Sequence, residues 1–192
     1  MVRGEFSDVS GSISVLCIQE ADLRKGPYSL SVYENWVVEM SLVGHLIELT
    51  LWEAAVQEGY DHLRPLWYAD AAVVVMSFAI DDFDSFRNVA DRWHAELLHF
   101  CSSPTPPILL VGCKSDLRWQ KGRMVDSFSQ RAELVTKEQG QALASRIGAV
   151  GYLECSSKTG EGTEEVMELI SRTVLSWNPL IKRKERRACL IM

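Results

Sequence analysis

No apolar run in this 192-residue chain is long enough to cross a bilayer. A spanning helix needs about 18 to 20 consecutive apolar residues, and the longest candidate, Ala71–Ile80, has ten. The opening residues Met1-Val2-Arg3-Gly4-Glu5-Phe6 lack the apolar centre of a secretory leader, so the chain is expected to stay in the cytosol. Cysteine is scarce and scattered: Cys17, Cys101, Cys113, Cys155 and Cys189, with no C-x-x-C pair. That argues against both a zinc site and a disulfide framework. Cys17, Cys113 and Cys155 stand in apolar surroundings and read as small buried hydrophobes. The histidines, His45, His62, His94 and His99, lack partners at metal-ligand spacing and read as surface or structural residues. Internal repeats and low-complexity segments are absent as well.

Positive charge is short everywhere but at one end. The net charge is −6, yet residues 182–187, Lys-Arg-Lys-Glu-Arg-Arg, carry +4, which leaves −10 on the rest. An acidic body argues against a nucleic-acid-binding surface. A short basic tail suits an anionic membrane leaflet.

What the chain does have is apolar content of 47%, enough for one domain with a proper core. Tyr33–Ser41 and Leu46–Trp52 read as two strands joined by a turn at Val43-Gly44-His45. Ala71–Ile80 is apolar on both faces, as a central parallel strand should be, and Pro106–Gly112 and Val150–Cys155 follow suit. Between them, Phe86, Val89, Trp93, Leu97 and Phe100 recur at helical spacing, as do Val166, Leu169, Ile170, Thr173 and Trp177. Leu134–Ile147 offers a third helix. Strands alternating with helices predict an α/β domain with a mostly parallel sheet, whose chemistry gathers at the carboxyl ends of the strands. Those ends are Trp52-Glu53, Ile80-Asp81, Gly112-Cys113-Lys114 and Glu154-Cys155-Ser156.

Three of the ends carry recognisable text. Gly112-Cys113-Lys114-Ser115-Asp116 resembles the N-K-x-D base-reading motif of small GTPases, and Glu154-Cys155-Ser156-Ser157-Lys158 resembles their S-A-K motif. Leu51-Trp52-Glu53-Ala54-Ala55-Val56-Gln57-Glu58 is similar to their D-T-A-G-Q-E segment with three changes. Tyr60–Leu66, Val32–Trp36 and the sixteen residues 119–134, matching the length of the Rho helical insert, narrow the resemblance to the Rho family. It runs over residues 28–192 and implies a P-loop-NTPase-like G domain over 1–178, followed by a tail over 179–192. It also implies a guanine site. Asp116 would take the two ring donors of guanine, Lys114 would lie along the ring, and Ser156, Ser157 and Lys158 would close the far side. Tyr28 belongs to the same nucleotide site by resemblance. Cys113 stands where the family has Asn, a weaker hydrogen-bonding group.

The phosphate half fails the same comparison. The P-loop motif G-x-x-x-x-G-K-[ST] supplies glycines for close approach, a lysine for phosphate and a hydroxyl for magnesium. Counting back from Tyr28 aligns it with Phe6–Ile13, where Gly11 alone survives; Ser12 replaces the lysine and Ile13 the hydroxyl. On that alignment Ser14–Ile18 is the helix after the loop. The preceding first strand then falls on Met1–Glu5, poor text for a buried strand, so this strand is expected to be eroded. Glu53 replaces the magnesium-holding Asp, and Val56 replaces the glycine that meets the γ-phosphate. Ser31 keeps a hydroxyl for magnesium, and Gln57 is the family's water-positioning residue.

The last four residues, Cys189-Leu190-Ile191-Met192, form a prenylation box behind Lys182, Arg183, Lys184, Arg186 and Arg187. One lipid chain binds membrane only marginally, and each nearby basic residue adds about 1 kcal/mol. The resemblance therefore implies a monomeric, prenylated Rho-like GTP-binding signalling protein at the cytoplasmic face of a membrane, the plasma membrane for preference. Its ligands would be GTP or GDP with magnesium, bound and hydrolysed weakly, and its partners effectors and regulators contacting residues 28–36 and 57–68. A conventional GTP-hydrolysing switch and a nucleotide-free scaffold stand as rival expectations.

Overall fold

The computed structural model describes residues 7–8, 13–19, 33–42, 45–54, 64–68, 70–101, 104–120 and 134–177. Seven strands form one sheet: β1 (Ser7–Asp8), β2 (Ile13–Gln19), β3 (Tyr33–Leu42), β4 (His45–Ala54), β5 (Val73–Ala79), β6 (Ile108–Cys113) and β7 (Gly151–Glu154). The helices are α1 (Pro65–Tyr68), α2 (Phe83–Asn88), α3 (Ala95–Phe100), α4 (Leu117–Gln120), α5 (Lys137–Ile147) and α6 (Thr163–Trp177). A π-helical stretch, Val89–His94, joins α2 to α3.

The strand order is β1-β4-β2-β5-β6-β7, all parallel, with β3 antiparallel along the other side of β4. All seven residues of β5 are buried, the expected fate of a strand covered on both faces. On one face α6 lays Ile170 and Val174 against Val15, Leu49, Val75 and Val111. The other face receives Val89, Trp93 and Leu97, with Leu143, Ala144 and Ile147 of α5. Each such aliphatic side chain, once fully buried, contributes about 1.5–3 kcal/mol.

Local chemistry sets the helix ends. Thr136 and Gln139 exchange hydrogen bonds as a capping box at the start of α5, and Gly148 ends it in the left-handed region. Asp82 caps α2 by accepting from the backbone N–H groups of Asp84 and Ser85. Gly140 of α5 lies so close to the Tyr152 ring that a methyl there would overlap it.

One expectation is overturned. Ser14–Ile18 is not a helix, and the central parallel strand is neither eroded nor located at Met1–Glu5. Ile13–Gln19 is that strand, paired to β4 through Ile13↔Leu49 to Ile18↔Ala54 and to β5 through Val15↔Val73 to Gln19↔Ser77. The physical reason is plain in retrospect. Ile13, Val15, Leu16 and Ile18 are apolar and nearly all β-branched, and all four are buried. The correction reaches the alignment that placed Gly11 in a phosphate loop, because a phosphate loop follows a strand and the residues after Gly11 open one. Gly11 itself lies outside the described residues, as do Tyr28, Ser31, Gln57, Val56, the insert residues 121–133 and the tail from 178 onward.

Candidate functional site

The carboxyl ends of β6 and β7 lie side by side, since Gly112 pairs with Glu154. Beyond that register pair the two chains stay coupled. Cys155 N–H donates to Gly112 O at 2.9 Å, and Ser115 N–H donates to Cys155 O at 3.1 Å. This brings the segments 113–116 and 155–158 together from 40 residues apart, which spacing in sequence could not fix. Asp116 is 8% exposed, and the Ser156 hydroxyl donates to its Oδ1 at 2.6 Å. The backbone N–H groups of Lys158 and Thr159 donate to the same Ser156 oxygen, at 3.3 and 3.4 Å. Ser156 thus fixes the Asp116 carboxylate and the turn that follows it. Lys158 Nζ stands 3.8 Å from Asp116 Oδ2, on an exposed side chain.

Lys114 has a positive φ of 65°, uncommon for a residue with a Cβ. Such backbone strain costs about 1–3 kcal/mol and concentrates at functional sites. Its ammonium lies 3.0 Å from Asp81 Oδ1, at the end of β5. The arrangement suits a flat heterocycle: a fixed carboxylate for two adjacent ring donors, with the stems of Lys114 and Lys158 beside it. Of the residues expected here, Lys114, Asp116, Ser156, Ser157 and Lys158 are gathered into one place.

Sequence reasoning missed the support behind the site. Arg118 donates to Glu154 Oε2 at 2.7 Å and to Val135 O at 2.7 Å, and the Tyr152 hydroxyl donates to Glu154 Oε1 at 2.7 Å. Burial works to raise the Glu154 carboxyl, but the hydrogen bonds from Arg118 and Tyr152 outweigh it and hold it below its ordinary value. Asp81 was marked only as a strand end; its pairing with Lys114 has no signal in sequence.

The two surfaces expected to meet partners are described in part. Trp36, on edge strand β3, is 45% exposed. In the other segment Arg64 and Tyr68 are buried, and Trp67 is half-buried with its ring 4.6 Å from that of Trp52. Trp119, at the start of the expected insert, is 73% exposed. Among the described residues no cluster of His, Cys, Asp and Glu could hold a metal ion, and no helix is long and apolar enough to cross a membrane.

Comparison with known proteins agrees with this geometry. The family model described as "Ras family" matches residues 24–176. The chain is 44% identical over 171 residues to the GTP-binding protein rho1 of Schizosaccharomyces pombe, covering 86% of this chain and 83% of that protein. It is 42% identical over 165 residues to the GTP-binding protein RHO1 of Candida albicans, covering 86% and 81%. With a mostly parallel α/β sheet, two loops coupled at its carboxyl edge and relatives of this kind, the chain belongs to the Ras family of small GTPases, on its Rho branch.

Proposed function

We propose that this chain is a prenylated Rho-type signalling protein that reads the guanine base and holds the phosphates weakly. The observation that carries the reading is the length of chain after the central strand. That strand ends at Gln19 and the next begins at Tyr33, leaving residues 20–32, Glu-Ala-Asp-Leu-Arg-Lys-Gly-Pro-Tyr-Ser-Leu-Ser-Val. They hold one glycine, Gly26, and no G-x-x-x-x-G-K-[ST]. An eight-residue phosphate loop would leave five residues for the helix that should follow, about a turn and a half. The match to the Ras-family model begins at residue 24, after the strand, which supports the same reading.

The magnesium donors do not fit either. Glu53 pairs in register with Cys17 and bears on its thiol, so burial first and then this carboxylate push Cys17 up to about 12. The Glu53 side chain is one methylene longer than the Asp it replaces. Hydrolysis needs a positioned phosphoryl group, and Gln57 alone does not supply one. What remains is base recognition, membrane attachment through Cys189 with Lys182, Arg183, Lys184, Arg186 and Arg187, and partner contact through residues 28–36 and 57–68.

Titration of the purified chain with fluorescent GTP, GDP and GMP, each with and without magnesium, tests this. We expect affinities in the micromolar range or weaker, within about threefold of one another and indifferent to magnesium. Nanomolar GTP and GDP binding that magnesium tightens would overturn the reading and restore the conventional switch. Membrane attachment is tested separately: Cys189→Ser should move the protein from the membrane fraction to the soluble one.

A further inference from the structure

Cys113 and Cys155 occupy neighbouring positions just past the last paired residues of two adjacent parallel strands. Gly112 pairs with Glu154, and the hydrogen bonds Cys155 N–H to Gly112 O and Ser115 N–H to Cys155 O hold the two backbones together on either side of the cysteines. Strands so coupled run about 4.7–4.9 Å apart. A disulfide accepts Cα separations of about 4.4–6.8 Å, so the backbone is already within reach. Both side chains pack against the same hydrophobic cluster under α6, so they project from the same face of the sheet, and both remain partly exposed. The two thiols bear on one another.

We propose that Cys113 and Cys155 are a redox modification site, closed to a reversible disulfide by hydrogen peroxide. The roles of the two sulfurs follow from their contact. The contact with Cys113, acting against burial, lowers Cys155, whereas the contact with Cys155 and burial raise Cys113. Cys155 is therefore the nucleophile and Cys113 the resolving thiol. The Cys155 thiolate attacks one peroxide oxygen, the O–O bond breaks, and the departing hydroxide takes a proton to become water. Cys113 then loses its proton and attacks the sulfenic sulfur; the S–S bond forms, the S–O bond breaks, and a second water leaves. Two thiols and one peroxide give one disulfide and two waters.

The bridge would tie together the two loops of the base site, because Cys113 directly precedes Lys114 and Cys155 directly precedes Ser156. Cys17 lies on the same face but on β2, separated from β6 by β5, so two strand spacings of about 4.7–4.9 Å each put it beyond the reach of a disulfide to Cys113. It serves as the internal control.

The experiment exposes the full-length chain to hydrogen peroxide, blocks the remaining thiols with an alkylating reagent, and reads intact mass and peptides by mass spectrometry. Expected is the loss of two thiols, a mass lower by two hydrogens before blocking, and a cross-linked peptide pair containing Cys113 and Cys155. A dithiol reductant restores both thiols. Cys155→Ser, Cys113→Ser and Cys113→Asn abolish the bridge, and Cys17→Ser keeps it. The proposal is overturned if both thiols stay alkylatable while peroxide oxidises Cys101, if Cys155 advances to sulfinic acid without bridging, or if the bridge joins Cys17. Each readout is covalent, so the result stands apart from whether the chain binds guanine nucleotide.

Discussion

Replacing Arg64 with methionine removes the cation of a buried network that pins the end of a proposed partner-binding segment. Arg64 has no exposed surface; its Nε donates to Glu96 Oε1 at 2.9 Å and its Nη2 to Oε2 at 3.3 Å. The Tyr68 hydroxyl donates to Glu96 Oε1 at 2.7 Å, and the guanidinium lies 4.8 Å from the centroid of the Trp93 ring. Removing one partner of a buried ion pair costs about 3–5 kcal/mol, because the other charge is left behind. The Glu96 side chain keeps 16% exposure and its bond from Tyr68, so water relieves part of the loss and the lower end, about 3 kcal/mol, applies. For a domain of this size that lowers Tm by about 6–12 °C. Urea unfolding followed by tryptophan fluorescence measures it. Arg64→Met combined with Glu96→Met removes both charges, and apolar replacement of a whole buried pair is often neutral. The double variant should therefore regain at least about 2 kcal/mol over Arg64→Met. If Arg64→Met costs under about 1 kcal/mol, or the two substitutions simply add, the pair does not anchor the segment.

Four further outcomes follow from the proposed base site and its support. Ser156→Ala takes the hydroxyl from Asp116 and from two backbone N–H groups, and should cost about 1–3 kcal/mol of stability in urea titration. The same variant should weaken guanosine binding about tenfold, equal to about 1.4 kcal/mol, by fluorescence competition. Gly162 has φ +76°, and a methyl there would run into the Glu154 carbonyl oxygen, so Gly162→Ala should lower stability by about 2–3 kcal/mol in the same titration. Glu154 is held below its ordinary value when folded, so its contribution is complete above the unfolded pKa and is lost as pH falls through the folded one. Urea midpoints should accordingly decline below about pH 5, and Glu154→Gln should flatten that decline.

Where periodicity was strong, the sequence was a sufficient guide. Val73–Ala79 is apolar on both faces and became a fully buried central strand, and Val89, Trp93 and Leu97 recur every fourth residue and became a helix face. Phe100 continues that spacing yet is half exposed, at the last residue of its helix. The first strand was misread for a different reason. Ile13–Gln19 is short and apolar, and periodicity alone cannot tell a buried strand from a buried helix over so few residues. An alignment that counted backwards from Tyr28 then decided wrongly; register against β4 and β5 decided it correctly.

By itself the sequence determined the family and most of the architecture, the first strand excepted, because hydrophobic period and short motifs are local properties. Tertiary structure decided what depends on long-range approach: Ser156 on Asp116, Asp81 on Lys114, Arg64 on Glu96, and the Cys113 and Cys155 thiols on one another. Each of those pairs is separated by 32 to 42 residues and meets only because parallel strands and the helices between them bring those segments to a common edge. The cysteines show it best. In sequence each is a small apolar residue, and only the register of β6 against β7 makes them a pair.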